Sequence, residues 1–183
     1  MRKLFLILSL VVTTAVTLLA SHAKADTLAA IGGGVSLEYA SDGRTYQART
    51  PFLIRGGYSF KDFDTYLEYS TFQSSDDNAS YVQVTRQHQE WIAWVRHIFF
   101  PRWIVAPYLA AGAGMQYDVV ETGFNGDSSR DVGMSSALVA TAAGIRTELG
   151  SNFDLQLETR MGFSSGYAPN PMFGANLLLG VHF

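Results

Sequence analysis

Residues 153 to 164 alternate with a period of two that few folds can accommodate. Phe153, Leu155, Leu157, Thr159, Met161 and Phe163 share one phase, while Asp154, Gln156, Glu158, Arg160, Gly162 and Ser164 share the other. Successive side chains of a strand point to opposite faces, so one face of this segment is oily and the other charged. The last residues repeat the pattern. Phe173, Ala175, Leu177, Leu179, Val181 and Phe183 oppose Gly174, Asn176, Gly180 and His182, with Leu178 as the exception.

The same reading along the chain predicts eight strands, at about 27–39, 51–61, 64–73, 81–99, 104–119, 134–149, 153–165 and 173–183. Short turns separate some of them, at Lys61-Asp62-Phe63-Asp64, Phe100-Pro101-Arg102-Trp103 and Gly150-Ser151-Asn152. Longer polar connections lie near 40–50, 74–80, 120–133 and 166–172, rich in Gly, Ser, Asp, Asn and Pro. An even number of long strands with short turns at one end and long loops at the other predicts an all-β fold: an eight-stranded antiparallel up-and-down transmembrane β-barrel.

Alternation alone does not say which face looks outward; the charges do. Glu38, Arg55, Glu68, Glu90, Arg96, Arg146, Glu148, Glu158 and Arg160 fall on one phase. Both signs are present, and buried charges persist only when paired. An eight-stranded barrel is just wide enough inside for side chains to fill it, so this set is expected to form an interior charge network that closes the lumen to ions. The oily phase then faces lipid. Aromatics gather at its two ends, Tyr39, Phe52, Trp91, Tyr117, Phe163 and Phe173 toward the long loops and Phe60, Phe99, Trp103, Phe153 and Phe183 toward the short turns, as in interfacial girdles. Inward glycines (Gly32, Gly34, Gly57, Gly112, Gly114, Gly144, Gly162 and Gly180) are expected to make room for the arginines.

Three places strain this scheme. Ile92 and Trp94 fall on the inward phase and His97 outward, which predicts a bulge or register change nearby. Pro107 has no N–H for the ladder and is expected near a strand start or at an irregularity. Residues 135–149 are alanine-rich enough to suggest a helix, but Val139, Thr141, Ala143, Ile145, Thr147 and Leu149 alternate, and we read a strand.

At the N-terminus, Arg2 and Lys3 precede an uncharged run from Leu4 to Ser21, and Ala23-Lys24-Ala25 offers a cleavage site. This predicts a signal peptide over 1–25 and a single barrel domain over 26–183. Composition excludes other classes. Thirteen basic against sixteen acidic residues leave no excess positive charge for nucleic acid. The absence of cysteine excludes disulfide scaffolds, thiolate metal sites and cysteine nucleophiles.

With its signal segment, eight alternating strands and apolar final strand ending in Phe183, the chain resembles the small outer-membrane β-barrel proteins of Gram-negative bacteria, above all the OmpX/Ail group and the membrane domain of OmpA. That resemblance implies residence in the outer membrane, contact with its lipids and lipopolysaccharide, and a final strand read by the barrel-assembly machinery. Leu177, Leu179, Val181 and Phe183 would carry that assembly signal, with Val181 standing where an aromatic is frequent.

A barrel does not choose its own function. The reading adopted is a non-enzymatic, monomeric barrel with no cofactor and no metal, whose surface loops bind an unknown partner or support membrane integrity. Two alternatives stand beside it, a lipid A-modifying enzyme and a narrow pore or a transporter of hydrophobic molecules like the OmpW group. The lipid A deacylase family carries a His two residues before its nucleophilic Ser. Here Arg160-Met161-Gly162-Phe163-Ser164-Ser165 places Gly162 at that position, leaving Ser164 an ordinary alcohol. His88 and Glu90 share the inward phase as a candidate general-base pair, and Asp76, Asp77, Asp127 and Asp131 in the loops offer solvation or weak cation binding.

Overall fold

The computed structural model describes residues 25–39, 46–79, 82–124, 127–132, 136–165 and 171–183; the signal segment 1–24 lies outside them. Ten strands run in chain order: β1 Asp26–Tyr39, β2 Tyr46–Arg49, β3 Phe52–Ser59, β4 Phe63–Ala79, β5 Val82–Ile98, β6 Val105–Phe124, β7 Asp127–Val132, β8 Ser136–Glu148, β9 Phe153–Ser164 and β10 Pro171–His182. Eight of them, β1, β3, β4, β5, β6, β8, β9 and β10, pair with their neighbours all antiparallel, and β10 returns to β1 from Leu28↔His182 to Leu37↔Phe173. Backbone bonds between Thr27 and Phe183 extend that seam to the chain end. The ring has no free edge. In lipid, where no water can satisfy an unpaired N–H or C=O, only such closure lets strands cross.

The wall faces outward with its oil. Ile31, Ile54, Leu67, Val95, Leu109, Val139, Leu157 and Leu177 are all exposed on the barrel surface, whereas Arg55, Glu68, Arg96, Glu158 and Gln156 are buried. A barrel in water would present the inverse arrangement, so the solvent of this wall is a membrane. The predicted girdles hold for Phe52, Trp91, Phe163 and Phe173 at one end and Phe99, Trp103, Phe153 and Phe183 at the other, all exposed. Phe60 departs from its girdle: it is buried at the β3–β4 turn, with its ring stacked 4.5 Å from that of Phe63. The side chain of Tyr39 is outside the described residues.

Where they fall among the described residues, segments read as long loops are largely strand; 40–45 and 166–170 lie outside them. β4 and β5 stay paired from Ser70↔Glu90 up to Ala79↔Val82, β5 and β6 up to Val82↔Phe124, and β7 adds to β6 from Val119↔Val132 to Phe124↔Asp127. At the other seam β2 pairs with β1 from Ser36↔Arg49 to Tyr39↔Tyr46. Ser, Asp and Asn favour turns, but here they continue the strands past Thr71 and Gln116, the last residues paired with β3 and β8. A ribbon of β4, β5, β6 and β7 therefore continues beyond the barrel wall.

The expected bulge around Ile92 is absent. β5 keeps one register against both neighbours from Trp91 to His97, and the irregularity in the β4–β5 ladder falls at Asp76/Ala79 instead. Ile92 and Trp94 simply face inward. They form an apolar patch with Ala110, Leu138, Ala140 and Ala142, set on β5 between the buried charges of Glu90 and Arg96. Pro107 is the third residue of β6, and the alanine-rich stretch is strand β8, as expected.

The inward glycines make room, but for other residues than arginine. Gly57 faces Tyr66, Gly112 faces Trp94 and Gly144 faces Tyr108 across adjacent strands. A Cβ on Gly112 would lie 2.7 Å from Trp94 Cδ2 and 2.8 Å from Ile92 Cγ2, whereas one on the lipid-facing Gly56 would meet nothing within 4 Å. We therefore expect Gly112→Ala to cost about 1–3 kcal/mol through overpacking, and Gly56→Ala to be neutral or slightly stabilising. Urea titration of the protein folded into vesicles checks both.

Candidate functional site: the buried charge network

Three arginines organise the lumen. Arg55 on β3 donates from Nε to Glu68 Oε2 at 2.7 Å and from its two Nη atoms to both oxygens of Glu158, at 3.1 and 2.6 Å. Arg160 on β9 donates to Glu68 Oε1 at 2.9 Å and to Glu90 Oε2 at 2.6 Å. Arg96 on β5 donates from Nε to Asp64 Oδ2 at 2.7 Å and from Nη1 to Gln156 Oε1 at 2.6 Å. In the closed ring β4 and β9 are four strands apart in either direction. The Arg160–Glu68 pair thus spans the barrel from wall to opposite wall.

Strand β9 supplies a rung at every second residue, Gln156, Glu158 and Arg160, since alternate side chains of a strand share a face. Tyr108 donates to Glu158 Oε2 at 3.0 Å, and Gln156 donates to Asp154 Oδ1 at 2.7 Å. His182 closes the series against Asp154 near the short-turn end. At the other end Glu90 also accepts from Ser70 at 2.9 Å and lies 3.4 Å from His88 Nε2, with Gln116 beyond at 3.5 Å. The side chains of Arg55, Glu68, Arg96, Asp64 and Glu158 are at most 1% exposed.

Glycine, aromatic and arginine form layers. With glycine opposite, Tyr66 and Tyr108 have room beside it and bring their faces under guanidinium groups. Arg55 lies 4.9 Å above Tyr66, Arg96 lies 4.8 Å above Tyr108, and Arg160 lies 5.6 Å from the Trp94 ring. A guanidinium held by carboxylates in its plane and by a ring on its face is satisfied in all directions.

Of the nine residues expected inside, Arg55, Glu68, Glu90, Arg96, Glu158 and Arg160 join this network. Arg146 does not. It is buried but donates at 3.2 Å to Glu148, whose side chain is 60% exposed, so the pair sits at the short-turn rim and Glu148 is not an interior charge. Glu38 lies in β1 with its side chain outside the described residues, as are the side chains of Asp76, Asp77, Asp127 and Asp131. The reading missed Asp64, assigned to a turn, although 64, 66 and 68 share one phase. It also left out Asp154 and Gln156, which stand on the charged face of β9 in plain alternation.

Ser164 Oγ lies 2.9 Å from Ser136 Oγ, and Gly162, where a base would stand, faces Met172 and Leu138. His88 and Glu90 do meet, Ser70 donates to the carboxylate, and Phe72 stacks on the imidazole at 4.4 Å. Beside them is a cavity of about 30 Å³ bordered by Ser70, Glu90, Arg160 and Asn176, room for a water or two. Among the described residues no cluster of His, Asp and Glu has the makings of a metal site.

The network predicts unequal costs. Arg160→Met leaves Glu68 and Glu90 short of a cation inside the barrel and is expected to cost about 3–5 kcal/mol. Arg146→Met leaves only an exposed carboxylate unpaired and is expected to cost about 1 kcal/mol or less from the lost pair. Equilibrium unfolding in vesicles distinguishes them, and equal costs would refute the division between lumen and rim.

No family model matches the chain, and no curated protein is significantly similar to it. Solved structures are similar in fold. Neisserial surface protein A is 16% identical, with a TM-score of 0.64 over 86% of this chain and 97% of that one. Ail of Yersinia pestis, in complex with the heparin analogue sucrose octasulfate, is 14% identical, with a TM-score of 0.58 over 87% of this chain and 99% of that one. The N-terminal β-barrel domain of Pseudomonas aeruginosa OprF is 16% identical, with a TM-score of 0.52 over 86% and 97%. The chain has the fold of the small eight-stranded outer-membrane barrels.

Proposed function

We propose that this chain is a non-enzymatic protein of the Gram-negative outer membrane, exported by removal of residues 1–25, whose closed barrel holds a surface ribbon for binding or for membrane integrity. One observation carries the reading: Arg160 reaches Glu68 on the opposite wall, filling the lumen with ion pairs, while β4, β5, β6 and β7 continue past the wall. A filled lumen disfavours a pore, and an ionic one disfavours passage of hydrophobic molecules. Gly162 stands two residues before Ser164, where the lipid A deacylase family carries a histidine.

The ribbon's charge narrows its partner. Asp76, Asp77, Asp118, Glu121, Asp127 and Asp131 stand against Arg86 and Arg130 within residues 72–88 and 117–132. Such a composition suits a positively charged partner, or lipopolysaccharide bridged by divalent cations, better than a sulfated glycan. The wall contacts lipids, the protein acts as a monomer, and the assembly machinery reads Leu177, Leu179, Val181 and Phe183. Leu177, Leu179 and Phe183 lie exposed on β10 or at its end.

A strain lacking the protein tests the reading against its rivals. Its lipid A masses should match those of the parent, while detergent sensitivity or surface adhesion changes. The purified protein should give no steady conductance in a planar bilayer. An altered lipid A mass would favour an enzyme, and a stable open channel would favour transport.

A further inference from the structure

The three short connections differ in kind. Lys61-Asp62 and Ser151-Asn152 are polar, as a turn standing in water should be, but the β5–β6 turn reads Phe99-Phe100-Pro101-Arg102-Trp103-Ile104. Phe100 is 57% exposed, Trp103 60% and Ile104 81%, against 37% for Phe99 on the wall above them. These rings do not splay at random. Trp103 donates its backbone N–H to Phe100 O at 2.9 Å, and the two rings stack with centroids 4.5 Å apart. Phe100 holds a φ of 53°, a left-handed backbone that bulky residues avoid and glycine adopts freely. A strained backbone presenting a stacked aromatic pair to water would be doubly unfavourable.

We infer that the β5–β6 turn is buried in the lipid interface at the short-turn side of the membrane, so that the barrel sits deeper, and tilted, toward this sector. The occupant of the surface is phospholipid because the patch is continuous with the lipid-facing wall. Phe99, Val105 and Leu149 are exposed apolar residues that lead directly into it. Its composition fits that boundary too, since Trp sits at the headgroup level and Arg102 can meet lipid phosphate. The inference rests on the membrane-spanning reading of the wall.

The cysteine-free chain allows a clean test. Ile104→Cys, Asp62→Cys, Ser151→Cys and Leu157→Cys are each labelled with an environment-sensitive fluorophore, and the full chain is folded into phosphatidylcholine vesicles. The probe at 104 should emit at shorter wavelength than those at 62 and 151. It should also be quenched severalfold more by acyl-chain-brominated lipid and severalfold less by iodide. In Phe100→Gly, where the positive φ carries no strain, the fold should persist while quenching at 104 by brominated lipid falls. The Leu157 probe, in mid-wall, must be quenched by the brominated lipid; failure there sinks the membrane reading itself. If Leu157 is quenched but position 104 answers to iodide like positions 62 and 151, the turn lies in water or awaits a protein partner, and the inference is wrong. Unchanged quenching in Phe100→Gly would overturn it as well.

Discussion

Arg160 reaching Glu68 across the full width of the barrel is the contact on which the rest of the structure depends. A soluble domain gathers its core because apolar groups leave water. Here the outside is as apolar as any core, so that force cannot decide what goes in and what stays out. The interior must instead be made from groups that lipid rejects, and each must find partners, because a buried charge without one costs several kcal/mol. Arginine suits the task with its five donors in a fixed plane, enough to hold two carboxylates at once, as Arg55 does with Glu68 and Glu158.

Filling a narrow lumen with long side chains also needs space to be allotted strand by strand. Glycines at 57, 112 and 144 free the volume that Tyr66, Trp94 and Tyr108 occupy, and these rings in turn support the guanidinium groups. The result is a solid pillar rather than a pipe. In the proposed function such an interior blocks ions and supports the ribbon of β4, β5, β6 and β7 that continues beyond the wall.

The wall was legible from alternation because a period of two has only one structural meaning over ten or more residues; β9 could be read residue by residue. Charge phase likewise identified six members of the network. What escaped has physical reasons. Asp64 sits beside a turn, where Asp is expected for other causes. Ile92 and Trp94 look misplaced only if the interior is assumed uniformly charged, whereas it holds an apolar patch between Glu90 and Arg96 of the same strand. The ribbon was taken for loops because strands outside the membrane lose their oily face, the one signal that the reading used. Arg146 and Glu148 share the inward phase, but phase gives a direction and not a depth, so their place at the rim could not be seen. Phe60 turns inward at a tight connection, where alternation ends.

The most direct test of this account is a double-mutant cycle on Arg55 and Glu158, with Arg55→Met, Glu158→Met and the double variant each unfolded by urea from lipid vesicles. If the pair forms part of a dry, shared network, either single change should cost about 3–5 kcal/mol. The double variant should then be more stable than the sum of the two losses implies, by more than about 1 kcal/mol. Losses that add to within about 0.5 kcal/mol would show that the two groups act independently, and the buried charge network would not be what holds the barrel together.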